Sequence, residues 1–140
     1  MANKPKKSLS QKIKENGGIE NYNYLYFLPI NQQVVLQNKW YDLDLIDVAI
    51  FHAIHRFISV GKPEQVIDKD GERWYWVAES KIINDLPLIP ISSNVGISKR
   101  IDKLIKHDLI KRKPDNRVTG LKMIALGKNA NRMFHSEESN

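Results

Sequence analysis

Apolar residues at Leu43, Ile46, Ile50, Ile54, Phe57 and Ile58 recur every three or four positions, the spacing of one helix face. Asp42 or Asp44 can cap the start of that helix, and it ends near Ser59–Gly61, with Pro63 beyond. Gly61 to Gly71 then reads as a loop containing the turn formers Asp68-Lys69-Asp70-Gly71. The aromatic strand Trp74-Tyr75-Trp76-Val77 follows. A second helix covers Glu79 to Leu86, with Ile82, Ile83 and Leu86 inward and Pro87 ending it. The proline-rich connector 87–91 leads to Ser92-Ser93-Asn94, three good helix caps, and a third helix from Asn94 to His107. Leu109–Lys113 and Leu121–Leu126 form a hairpin across the polar turn 114–120.

The flanks carry weaker patterns. Residues 1–20 form a flexible basic arm ending in Gly17–Gly18, with a frayed helix over Ser8–Asn16 too poor in apolar residues to pack. Tyr22, Tyr24 and Tyr26 alternate with polar and aliphatic residues, suggesting a strand that runs into Pro29. Asn31 to Trp40 fits a short strand or a loop. The domain proper spans 21–127, and 128–140 is a polar tail in which Met133 and Phe134 can dock back.

A chain of 140 residues is one domain, large enough to fold without a disulfide or a metal. It has no cysteine, which excludes disulfides, thiolate nucleophiles and Cys-ligated metal centres. No apolar run is long enough to span a bilayer, and the lysine-rich start lacks the apolar core of a secretion signal. The expectation is a cytoplasmic protein that does not engage membranes. Residues 1–40 hold six Lys and two acids, a net of +4, whereas 41–90 hold five Lys/Arg and nine acids, a net of −4. Residues 91–134 alone carry +8, the footprint of a partner that is a polyanion.

At about 100° per residue, Ile97, Ile101, Leu104 and Ile105 form the buried stripe of the third helix. Lys99, Lys103 and Lys106 lie nearly opposite, flanked by Arg100 and His107, and Gly96 permits close approach to a surface. This shape suits a major groove about 12 Å wide. Ser92, Ser93 and Asn94 at the leading end are placed to reach base edges while the cations meet phosphates. The hairpin adds Lys111, Arg112, Lys113 and Arg117 as a second positive element.

The run Ile91-Ser92-Ser93-Asn94-Val95-Gly96-Ile97-Ser98-Lys99-Arg100-Ile101-Asp102-Lys103-Leu104, followed by His107-Asp108-Leu109-Ile110-Lys111-Arg112, resembles the recognition-helix signature of bacterial winged-helix proteins. Asp108 stands where that family usually has a glycine in a left-handed conformation, which Asp tolerates better than most residues. The resemblance covers about Asp42 to Leu126. Within the superfamily the chain is most similar to the N-terminal domains of phage and plasmid replication initiators, through the tryptophan strand and the Leu86-Pro87 turn. MarR-type transcription regulators share the core but add long dimerisation helices, and no convincing pair of those occurs here. The resemblance implies an α+β winged helix, a three-helix core with a small antiparallel β-sheet wing and a basic N-terminal arm, that binds double-stranded DNA in replication initiation. A winged-helix transcriptional regulator, or an interaction module that does not touch DNA, is the alternative. A homodimer or a replication or regulatory protein partner stays open.

Other residues favour structural roles. His52 and His55 sit three apart on the first helix without a third ligand, which fits ordinary helix-face histidines better than a metal site. Trp74 and Trp76 share a strand face and suit packing better than base stacking. No phosphate-binding loop, dinucleotide fingerprint or nucleophile elbow occurs, so no enzyme, cofactor or catalytic residue is expected. Asp42, Asp44 and Asp47 suit a helix start, where the helix dipole favours negative charge.

Overall fold

The computed structural model describes residues 8–22, 28–90, 94–114 and 123–134, and within these the side chains from residue 96 onward in the last long helix. Helix α1 (Leu9–Glu15) opens on a capping box between Ser8 and Gln11, and Ile19–Tyr22 form a 3₁₀ turn. Helices α2 (Gln32–Gln37) and α3 (Leu45–Val60) follow, then strands β1 (Gln65–Ile67) and β2 (Arg73–Trp76). After α4 (Glu79–Asp85) and α5 (Asn94–Lys106) come β3 (Ile110–Arg112), β4 (Met123–Leu126) and a 3₁₀ turn at Ala130–Phe134. Among the described residues the protein is therefore α+β, with five α-helices where three were expected, because α1 and α2 precede the core helices, and a small sheet ordered β1-β2-β4-β3 whose pairings are antiparallel.

Helix α3 is the centre of the core. Its Ile50, Phe51 and Ile54 are fully buried, and each such side chain contributes roughly 1.5–3 kcal/mol. Ile82 of α4, Ile97 and Leu104 of α5, and Leu109, Ile110 and Ile124 of the hairpin close around it. The expected inward stripe of α5 is the observed one, with Ile97, Ile101 and Leu104 buried and Ile105 half-buried. Asp108 ends this helix at φ +58°, the left-handed conformation anticipated for it. Gly127 lies against its carbonyl so closely that a Cβ there would land on the Asp108 backbone. The end of α5 and the end of β4 are joined at that point.

Several expectations need correction. Asn31–Trp40 is neither strand nor loop: Asn31 caps α2 by accepting from the Val34 N–H at 3.1 Å, and Val34 and Val35 enter the core. The loop between α3 and the aromatic strand contains β1, held by Asp68. The Asp68 carboxylate accepts the N–H groups of Asp70 and Glu72 and the Trp74 indole N–H, all at 2.9 Å. Tyr22 closes a 3₁₀ turn instead of opening a strand, while Tyr24 and Tyr26 fall outside the described residues. The two tryptophans differ: Trp74 is buried and Trp76 is exposed. Both lie on the sheet face opposite Tyr75 and Ile124, which turn to the main core. Trp74 is covered by the Lys111 ammonium, 5.3 Å above its ring. At the C-terminal end, Ala130 and Met133 are buried in the core, so the packed unit runs past residue 127.

Candidate nucleic-acid interface

Helix α5 is long enough for three full turns, and its apolar stripe fixes which sides remain. The outermost side carries Lys99, Asp102 and Lys106, all exposed. A second side, with Arg100, Lys103 and His107, turns toward the start of α3. That start is a reciprocal capping box: Asp44 Oδ1 accepts the Asp47 N–H, and Asp47 Oδ2 accepts the Asp44 N–H, each at 2.9 Å.

The same carboxylates meet the cations of α5. Arg100 Nη1 donates to Asp44 Oδ1 at 2.8 Å and to Asp47 Oδ1 at 2.9 Å. Lys103 Nζ lies 2.6 Å from Asp47 Oδ2 and donates to the Asp42 carbonyl at 3.1 Å. Asp42 takes His107 Nε2 at 2.6 Å and Lys106 Nζ at 3.4 Å. Asp47 is fully buried, so its two cations balance a charge that has no access to water. Partial burial opposes ionisation of Asp42, but the hydrogen bond and charge of His107 outweigh it and hold the carboxyl below its usual range. For Asp44, burial is likewise outweighed, by the Asp47 N–H and the Arg100 guanidinium, and its carboxyl is also held low. Reciprocally, Asp44 and Asp47 overcome the desolvation of Arg100 and raise its pKa further.

The expected site residues therefore divide. Lys99 is exposed and has no carboxylate partner among the described residues. Lys106 is exposed but leans on Asp42. Arg100 and Lys103 are committed to the α3 aspartates; they do not stand opposite the buried stripe as free cations. Arg112 donates to Asp102 Oδ1 at 3.0 Å, which ties β3 to the outer side of α5. Lys113 follows β3, its N–H bonded to the Met123 carbonyl at 2.9 Å. Asn94 begins α5, while Ser92, Ser93 and Arg117 lie outside the described residues. The acidic cluster at 42–47 is the feature that sequence reasoning assigned only to helix capping. Its signal was present in the charge blocks, since the −4 segment precedes the +8 one and the two neutralise each other in part.

Among the described residues no group of three metal-ligating side chains converges, and no helix is long and apolar enough to cross a membrane. The chain matches no family model, no curated protein and no solved structure.

Proposed function

We propose that the protein binds duplex DNA without catalysing a reaction, through a winged-helix unit in which α5 enters the major groove and the β3–β4 hairpin is the wing. The observation that carries this reading is the join between the two elements. Helix α5 runs directly into β3, and the Asp102–Arg112 ion pair fastens them side by side. The order β2-β4-β3, with α3 ahead of β2 and with α4 and α5 between β2 and β3, is compatible with that fold. Lys99 and Lys106, both exposed, supply outward charge from the helix, and Lys113, half-buried, lies just past β3 on the hairpin. Asn94, Ser92 and Ser93 are the candidates for base contacts and Arg117 for the wing tip. A cytoplasmic role in replication initiation of a phage, plasmid or mobile element goes with the sequence resemblance, ahead of transcriptional regulation.

A second reading has an observation of its own. The aspartates at 42, 44 and 47 already neutralise much of the α5 charge, as suits a module that meets a protein instead of DNA. Salt separates the two. Neutralising phosphates releases counterions, so affinity for random duplexes should fall linearly on a log–log plot as salt rises. Fluorescence anisotropy on labelled duplexes should give a non-specific Kd on the order of 10⁻⁴–10⁻⁶ M near physiological salt. Absence of binding at low salt would overturn the DNA reading and favour the protein-interaction one.

A further inference from the structure

The ion pairs between α5 and the start of α3 are of two kinds. Asp47 is fully buried, and Arg100 and Lys103 meet it at 2.9 and 2.6 Å, so parting them would strand a charge away from water. Asp44 is exposed, but both of its oxygens accept from Arg100 Nη1, at 2.8 and 3.0 Å, and that arginine is anchored on Asp47. These contacts belong to the packing of α5 on α3.

The Asp42–Lys106 pair is built differently. Its acid is fixed in place. His107 Nε2 lies 2.6 Å from one carboxylate oxygen, the Trp40 ring packs on that imidazole with centroids 5.7 Å apart, and Lys103 holds the Asp42 carbonyl at 3.1 Å. Its cation is loose. The Lys106 side chain is 68% exposed, and its ammonium meets the other oxygen at 3.4 Å, the longest of these contacts. An exposed pair of this kind contributes little, because water and the entropy of a long side chain offset the Coulomb attraction. Lys106 can leave Asp42 easily, while Asp42 stays where it is. A lysine that gives up a carboxylate for a phosphate also gains less than a free one. The phosphate releases its counterion, but the abandoned carboxylate draws a cation from solution, and the two partly offset each other in the salt dependence.

We propose that Asp42 is a built-in competitor for a DNA phosphate: it occupies Lys106 in the free protein, the lysine exchanges it for a phosphate on the duplex, and the exchange restrains both the affinity and its salt dependence. This rests on the DNA-binding reading above. Lys99, on the same outer side of α5, carries no such restraint from the α3 aspartates.

Fluorescence anisotropy of the full chain on a random duplex, at several salt concentrations, tests the exchange. Asp42→Asn keeps an oxygen acceptor for His107 and removes the charge. It should tighten duplex binding about three- to fivefold, the upper range for one exposed pair, and steepen the salt slope by roughly half to one unit. Asp70→Asn removes an exposed acid from the β1–β2 turn, at the sheet edge away from β3, as a control for charge alone. In a Lys106→Ala background the gain from Asp42→Asn should fall to the level of Asp70→Asn. Lys106→Ala by itself reads the exchange without touching Asp42, so it decides the matter even where Asp42→Asn fails to fold. Its slope should fall by less than about half a unit, against roughly one unit for Lys99→Ala. An Asp42→Asn gain no larger than that of Asp70→Asn, or one that survives Lys106→Ala, would overturn the exchange and leave the DNA reading intact. Equal slope losses for Lys106→Ala and Lys99→Ala would do the same. Failure of the unaltered chain and of Asp42→Asn alike to bind duplex at low salt would overturn the DNA reading and the exchange together.

Discussion

A lysine counts toward a DNA-binding face only when its charge is not already compensated. Lys99 and Lys103 lie four residues apart on α5, yet they differ in this respect. Lys103 balances the buried Asp47, whereas Lys99 is exposed. If α5 enters the groove, Lys99→Ala should weaken binding to all duplexes and lower the salt slope by roughly one unit, with the thermal midpoint unchanged. Lys103→Ala should instead lower the midpoint, and anisotropy at matched salt alongside thermal melts distinguishes the two. Removing the acid is the harsher change. Asp47→Ala leaves Arg100 and Lys103 without their buried counter-charge and breaks the α3 capping box. A loss of about 3–5 kcal/mol is expected in urea denaturation.

Among the elements, the β1–β2 hairpin depends on one carboxylate and one indole. Asp68 organises the turn and accepts from Trp74, and Lys111 covers the ring while pairing with Glu72. Trp74→Ala should therefore cost about 3–5 kcal/mol, as for any large buried aromatic. Trp76 is on the same face at the end of the strand, and Trp76→Ala should change stability by less than about 1 kcal/mol. Chemical denaturation of both variants checks the contrast. If Trp76→Ala matched Trp74→Ala in cost, the outer face of the sheet would be covered more fully than its exposure indicates.

For the whole molecule, pH reports how α3 is buried. His52 titrates near 6.5 when unfolded and at about 4 in the fold, so the unfolded chain takes up the proton first. Stability is therefore full above pH 6.5 and declines as pH falls toward 4, with the lowered pKa of His55 acting in the same sense. The decline attributable to His52 is about 2 kcal/mol after screening. Below the ordinary carboxylate range a second decline follows, as Asp42 and Asp44 are protonated and release their partners on α5. Urea midpoints measured from pH 8 to pH 3 should show both phases. His52→Phe should shrink the first phase to the share that His55 contributes and leave the second.

The elements with strong local periodicity were legible from the chain alone. Helices α3, α4 and α5 and the flanking strands follow from apolar spacing, caps and prolines, which are properties of neighbours in sequence. The left-handed turn at Asp108 was anticipated through the family resemblance, which has a glycine at that position. The short helix α2 was not, because six residues carry too few helical repeats to separate them from a strand. Strand β1 was hidden likewise: all three of its residues are exposed, so no burial pattern marks it. The interface was only half visible. Periodicity showed that α5 has an apolar side and a cationic remainder, but its ion-pair partners lie more than fifty residues upstream. Packing of α5 across α3 decided which cations face the aspartates and which face water. Sequence determined the secondary elements and their inward faces, because burial of apolar side chains imposes a local period. Only the fold decided where the charges went, because Coulomb partners are chosen by distance in space.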